Sequence, residues 1–183
     1  MLTAIAGAVG RYLRAYGEDL SGLVLRALVP VADARGERLL PAYAPLPVGI
    51  DDARRRHAEI GRALDGLRDS GRAAGAEELS ARAGVAPASM IGAAARIQAD
   101  ERSFNLMVTN VPGPQDPRYL LRRRLRSIYP AVPLAPGQTL SIAVISYAGR
   151  LCFGLLSDDG CFDDAEFFAQ LLSEALDELT PPG

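Results

Sequence analysis

The sequence predicts an α/β domain, a mixed β-sheet with helices packed on it. Stretches with helical periodicity and short β-rich runs follow each other in the order α-β-β-α-α-α-β-β-β-β-α, which favours shared layers of strands and helices over an all-α or all-β fold. Hydrophobic residues make up 49% of the 183 residues, which is enough for one continuous core. We therefore expect a single domain over residues 1–183.

The chain opens with a predicted helix and a predicted buried strand. Residues 2–16 indicate a helix that stops at Gly17, because apolar residues recur at spacings of three and four: Leu2, Ile5, Ala6, Val9, Leu13 and Tyr16. Residues 22–31 are short and rich in Val and Leu, which favours a buried strand.

An edge element and three helices follow. Residues 42–48 contain two prolines, which predicts an edge strand or a polyproline-like segment. The acidic pair Asp51-Asp52 opens a helix to about residue 68, since a helix dipole favours carboxylates in its first turn. Residues 76–84 and 88–99 are predicted to be two more helical pieces.

The second half predicts strands and a closing helix. Residues 103–110 indicate a strand that ends at the Val-Pro-Gly-Pro stop, and residues 118–129 indicate an extended segment with a basic middle. Ala148-Gly149 joins two β-rich runs into a predicted hairpin. Residues 163–179 predict an amphipathic helix whose N-cap is Asp163.

Composition excludes several classes of protein. The net charge is −2, which gives no electrostatic reason to expect binding to nucleic acid or to an anionic membrane. Nothing reaches the roughly 18 apolar residues of a membrane helix, and Arg11 and Arg14 follow the apolar N-terminal run, whereas a signal peptide has its charge before such a run. Two cysteines without a Cys-x-x-Cys pair predict neither a zinc site nor a secreted scaffold, so we expect a cytoplasmic protein without a metal or cofactor.

A series of motifs in the second half resembles a known family. It runs from Phe104 to Pro114 (FNLMVTNVPGP), continues through Ile128-Tyr129-Pro130, and ends with residues 140–158 (LSIAVISY…G…L-x-F-G…D). This series is similar to the C-terminal domain of the bacterial wax ester synthase/diacylglycerol acyltransferases. Residues 6–13, 25–31 and 46–48 are similar, with less force, to the region after that family's Asn-Asp motif.

The resemblance implies one lobe of a chloramphenicol-acetyltransferase-like two-lobe fold. In the complete enzyme an H-H-x-x-x-D-G motif in the N-terminal lobe supplies a histidine base, which activates a lipid alcohol for attack on acyl-CoA. The motif is absent from this sequence. We therefore expect no catalytic residue here, acyl-CoA and a diacylglycerol or long-chain alcohol as substrates of the complete enzyme, and an N-terminal lobe as partner.

Residues 109–114 are the predicted substrate-binding site, and they are Thr109, Asn110, Val111, Pro112, Gly113 and Pro114. A strand that opens into a loop is where α/β folds usually present polar groups to ligands. The structural alternative is a turn, with proline fixing φ and glycine giving freedom. The resemblance favours a role in lining the tunnel that the two lobes of that family enclose.

A basic cluster consists of Arg122, Arg123, Arg124 and Arg126. Guanidinium groups suit the phosphates of coenzyme A or anionic lipid headgroups, at a membrane or lipid-droplet surface. The alternative, which we favour, is the solvated face of an edge strand.

The remaining candidates favour structural roles. His57, the only histidine, lies mid-helix without a second histidine, so a solvated or structural role is favoured over catalysis. Cys152 lies in a β-run and is expected in the core. A rival hypothesis therefore stands beside the acyltransferase lobe: a non-catalytic module that binds acyl chains or self-associates through an exposed apolar patch.

Overall fold

The computed structural model describes residues 1–32, 39–69, 104–134, 136–162 and 164–180. The predicted helices at 76–84 and 88–99 lie outside these residues. The three described helices are α1 (Leu2–Ala15), α2 (Ala53–Asp69) and α3 (Ala165–Asp177). The described strands are β1 (Leu25–Ala32), β2 (Leu39–Leu46), β3 (Leu106–Val111), β4 (Tyr119–Leu120), β5 (Arg123–Arg124), β6 (Leu140–Tyr147) and β7 (Arg150–Ser157).

Five strands form one mixed sheet in the order β2-β1-β3-β6-β7. The central strands β1, β3 and β6 run parallel, and the outer strands β2 and β7 pair antiparallel with their neighbours. The predicted α/β class with a mixed sheet is therefore confirmed. β2 lies at an edge, as its prolines predict, because proline cannot donate a ladder hydrogen bond.

One face of the sheet is covered by α1 and α3. Leu106, Val108, Ile142 and Val144 pack there against the two helices in the main core. Helix α1 is buried continuously over residues 2–10, which is why its first turns are apolar or small on every side. Tyr16, predicted on the apolar face of this helix, instead lies exposed at its C-cap.

The opposite face carries a second, smaller cluster. Met107 and Ala143 belong to it together with Leu28, Phe104 and Val132. Residues 128–134, here called the crossing segment, contribute Val132 to this cluster, and the Ser141 hydroxyl donates to the Val132 carbonyl oxygen at 2.6 Å. The segment therefore lies against the face that α1 and α3 leave open.

The turns after α1 and between β6 and β7 confirm their predictions, whereas the N-cap of α3 differs from its prediction. Gly17 follows α1 at φ +83°, and Ala148 and Gly149 join β6 to β7 with φ values of +47° and +77°. The N-cap of α3 is Asp164, whose carboxylate accepts the Phe167 N–H at 3.0 Å. The prediction of Asp163 was wrong by one residue, because Asp164 is the carboxylate that reaches the third amide of the helix.

Candidate functional site

Thr109 and Asn110 lie on opposite faces of the sheet. Side chains alternate along a strand, so Thr109 shares the face of Met107 and is buried at 4% exposure, while Asn110 is exposed. The two polar groups therefore cannot act as one pair on a single ligand group. Asn110 is the one that solvent or a ligand can reach.

Residues 112–118 form the anchored loop, which the structure ties to the end of β6. The Gly113 N–H donates to Ser146 Oγ at 3.2 Å, and Gln115 Nε2 donates to the same oxygen at 3.0 Å. The Ala148 N–H donates to the Pro114 carbonyl oxygen at 3.1 Å. The loop is thus fixed by hydrogen bonds to the β6–β7 turn region.

Gly113 is needed because the loop passes close to β6. A Cβ at this position would overlap the Ser146 carbonyl oxygen and would lie 2.9 Å from Ile145 Cγ1. Val111, Pro112 and Pro114 are half-buried in the same stretch. These contacts account for the loop residues through folding alone, as the turn alternative predicts.

Gly154 permits a second close approach. A Cβ there would overlap the Pro130 carbonyl oxygen and lie 2.8 Å from the Pro130 carbonyl carbon. Glycine inside a strand is typical of a place where another backbone comes near. Sequence reasoning noted Gly154 only within the family motif, although its position mid-strand was the available signal.

Tyr147 joins the anchored loop to the segment that follows it. Its hydroxyl accepts the Arg118 N–H at 2.8 Å and donates to the Leu125 carbonyl oxygen at 2.9 Å. The ring is 1% exposed at the end of β6. Sequence reasoning missed this role, as it missed those of Ser146 and Gln115, because the partners are up to 34 positions apart.

Residues 119–124 form the arginine hairpin, a separate two-stranded sheet of β4 and β5. Leu120 pairs with Arg123, so Leu121 and Arg122 form a two-residue turn. The prediction of one extended segment over residues 118–129 was therefore wrong, because the chain reverses at Leu121 and Arg122. All four predicted arginines, Arg122, Arg123, Arg124 and Arg126, are exposed.

His57 contacts no candidate site residue. It lies exposed on α2, and its Nδ1 atom is hydrogen-bonded to Thr3 Oγ1 at 3.1 Å. Cys152 is buried and free, as expected for a core cysteine, and Cys161 is free and exposed.

The neighbouring Arg56 is buried at 2% exposure and was not predicted to be special. Its Nε donates to the Thr3 carbonyl oxygen at 2.9 Å. Its Nη1 donates to the backbone carbonyl oxygens of Ile50 at 2.7 Å and Asp51 at 3.0 Å. Burial lowers the pKa of Arg56, and the Glu178 carboxylate 3.7 Å away opposes that shift. The guanidinium fills the space that Gly7 leaves in α1.

Two cavities lined by described residues lie away from the predicted site. One, of about 800 Å³, adjoins Val24 and Gly49, and the other, of about 390 Å³, adjoins Leu25, Asn105 and Leu140. Both are therefore at the amino ends of the parallel strands, whereas the anchored loop follows the carboxyl end of β3. The geometry thus leaves Asn110 as an exposed polar group without a described cavity beside it.

A profile of the WS/DGAT C-terminal domain family matches residues 36–180. The chain belongs to this family. Two proteins of Mycobacterium tuberculosis named as diacylglycerol O-acyltransferases are 31% and 30% identical to this chain, in alignments of 182 and 190 positions including gaps. These alignments cover 94% and 97% of this chain but 39% and 40% of the relatives, so the chain spans about two fifths of their length.

A solved structure shows the same fold. The wax ester synthase/diacylglycerol acyltransferase of Marinobacter aquaeolei superposes with a TM-score of 0.71 at 24% identity, over 97% of this chain and 42% of that enzyme. The domain thus corresponds to one lobe of a two-lobe fold, as the motif series implies. No helix among the described residues is long and apolar enough to cross a membrane.

Proposed function

We propose that this chain is the C-terminal lobe of an acyl-CoA-dependent O-acyltransferase. The observation that carries the proposal is the family match over residues 36–180, together with relatives named as diacylglycerol O-acyltransferases. The acceptor is a diacylglycerol or a long-chain alcohol, and the products are triacylglycerols or wax esters. A place at a membrane or lipid-body surface in the cytoplasm suits such substrates.

The catalytic base belongs to an N-terminal lobe in this proposal. Deprotonation of an alcohol needs an imidazole that titrates near neutral pH beside the reacting hydroxyl. His57 is the only histidine of this chain, and it lies on α2, where it is hydrogen-bonded to Thr3 of α1. This lobe contributes a substrate-facing wall, and Asn110 is its exposed polar group at the family motif.

The test is acyl transfer from a long-chain acyl-CoA to a fatty alcohol or a diacylglycerol. The purified chain is assayed alone and mixed with the N-terminal lobe of a relative. We expect product only in the mixture. Product from the chain alone would contradict the proposal, and so would a mixture whose lobes associate without forming product.

Two variants sharpen the assay. In the active mixture, Asn110→Ala is expected to lower the rate by about tenfold, the value of one hydrogen bond to substrate. His57→Gln is the matched control and is expected to leave the rate unchanged. A large loss of acyl-transfer rate in His57→Gln would mean that the catalytic base lies in this lobe.

A self-associating, non-catalytic module is the second candidate. The outer edge of β7 exposes Leu151 and Leu156, whereas the β2 edge carries Pro41 and Pro45. An edge without proline invites pairing with another strand. A concentration-dependent dimer in sedimentation equilibrium, together with no acyl transfer in either assay, would favour this candidate.

A further inference from the structure

The arginine hairpin exposes apolar side chains that the fold does not use. Leu121 is 91% exposed and Leu120 is 76% exposed, and Tyr119, which precedes them in the chain, is also exposed. Isolated exposed leucines are ordinary on protein surfaces, but a contiguous patch marks a binding surface. These three consecutive residues occupy β4 and the first position of the hairpin turn.

The turn keeps side chains where glycine would fit better. Leu121 has φ +47° and Arg122 has φ +64°. Both values lie in the left-handed region, which Asn and Gly occupy more readily in a two-residue hairpin turn. Strained backbone positions of this kind cluster at functional sites. Leu121 contributes little to the core from its exposed position.

The charge around the tip has a single sign. Arg122, Arg123, Arg124 and Arg126 are exposed, and Arg118 is exposed at the base of the hairpin. The sequence contains no aspartate or glutamate between Asp116 and Asp158. The hairpin is therefore a local cationic surface on a chain whose net charge is −2.

The base of the hairpin is rigid. The buried Tyr147 hydroxyl holds Arg118 on one side and Leu125 on the other, and the Leu125 N–H donates to the Arg118 carbonyl oxygen at 2.8 Å. A two-stranded hairpin alone is marginally stable, so this clamp holds the tip in place before any partner arrives. A preorganised surface loses less conformational entropy when it binds.

We propose that the arginine hairpin docks on an anionic phospholipid bilayer, with Leu121 in the interfacial region and the arginines on lipid phosphates. Guanidinium groups bind phosphate oxygens in a bidentate way, and tyrosines such as Tyr119 are favoured at the membrane interface. A bilayer accepts the leucines and the arginines together. The proposal deepens the lipid-surface part of the proposed function, but it stands on the hairpin alone.

The experiment is co-sedimentation of the complete chain with phosphatidylcholine vesicles that contain or lack phosphatidylglycerol. The test variant is Leu121→Asn combined with Arg122→Gly, which installs the favoured turn residues while it removes the apolar tip and one charge. We expect binding to the anionic vesicles only, and a loss of about tenfold or more in the variant. Its thermal unfolding midpoint is expected to stay equal or rise.

The matched control removes one exposed apolar side chain and one exposed arginine elsewhere. Val24→Asn combined with Arg54→Gln replaces an exposed apolar residue just before β1 and an exposed arginine near the start of α2. This control is expected to bind like the original chain. A loss of equal size in the control would show general charge attraction and would overturn the assignment.

Further outcomes also decide. Equal binding of the hairpin variant, equal binding to neutral vesicles, or no binding to either would overturn the proposal. Free coenzyme A, added at matched ionic strength, is not expected to displace the chain from the vesicles. If it did displace the chain, the arginines would be assigned to coenzyme A instead. No acyl transfer is measured, so failure here is distinct from failure of the acyltransferase proposal.

Discussion

The anchored loop and the arginine hairpin are neighbours in the chain but differ in what holds their residues. In the anchored loop, Gly113, Pro114 and Gln115 all have partners at the end of β6 or in the turn that follows it. In the arginine hairpin, Leu121 and Arg122 are exposed in strained backbone positions. Contacts within the fold account for the residues of the anchored loop. They do not account for Leu121 and Arg122, for which we propose a role in binding. Substitutions should therefore affect stability in one region and association in the other.

Gly154→Ala is expected to have the largest effect on stability. The added methyl group would meet only backbone atoms of Pro130, which cannot move without shifting the crossing segment. We expect the free energy of unfolding to fall by about 3 kcal/mol. Urea unfolding measures it, and Gly61→Ala, in open space on α2, is the control that should not destabilise.

Gly113→Ala should destabilise the chain by about 2 kcal/mol, less than the change at Gly154. The methyl group would meet one backbone oxygen, of Ser146, and the side chain of Ile145, which can rotate. Urea unfolding of both alanine variants under the same conditions compares them. A stable Gly113→Ala protein would mean that the anchored loop is not fixed as described.

Tyr147→Phe should cost about 1–2 kcal/mol, because it leaves the Arg118 N–H and the Leu125 carbonyl oxygen without their shared partner. Hydrogen exchange at Arg118 is expected to speed up more than exchange within β6. Tyr129→Phe, at an exposed ring, is the control and should change neither quantity. Unchanged hydrogen exchange at Arg118 in Tyr147→Phe would mean that the Tyr147 hydroxyl does not fix the base of the arginine hairpin.

Leu121→Gly should have the smallest effect on stability, within about 1 kcal/mol and in the stabilising direction. Glycine adopts φ +47° without strain, and the leucine lies almost wholly in solvent. Thermal unfolding against the unaltered chain measures the change. A loss of several kcal/mol would place Leu121 among the folding residues and erase the contrast between the two regions.

Local signals in the sequence predicted most of the described elements. Ala148-Gly149 was predicted as a turn because glycine tolerates positive φ, and it is one. Leu121-Arg122 was missed for the same physical reason, since neither residue favours the left-handed region that it occupies. The N-cap of α3 was misplaced by one residue because the sequence offers adjacent aspartates, Asp163 and Asp164.

The predicted site residues were located by resemblance, and their roles depend on tertiary contacts. Thr109 and Asn110 are adjacent in sequence, so the strand itself separates them onto two faces. Ser146 and Tyr147 contact partners 22–33 positions away, and no local pattern predicts such pairs. Arg56 is similar, because its run Arg54-Arg55-Arg56 is uniform in sequence and only the third arginine is buried.

The parallel pairing of β1 with β3 also bears on how the chain folds. The Arg26 N–H donates to Asn105 Oδ1 and the Asn105 N–H donates to the Arg26 carbonyl oxygen, each at 2.8 Å, across 79 positions. Pairings of such sequence separation form slowly, and they leave apolar strands uncovered until they close. The β6–β7 hairpin, joined by a two-residue turn, can form early and present β6 as the template on which β3 and then β1 assemble. We therefore expect the pairing of β1 with β3 to be a late and slow step of folding.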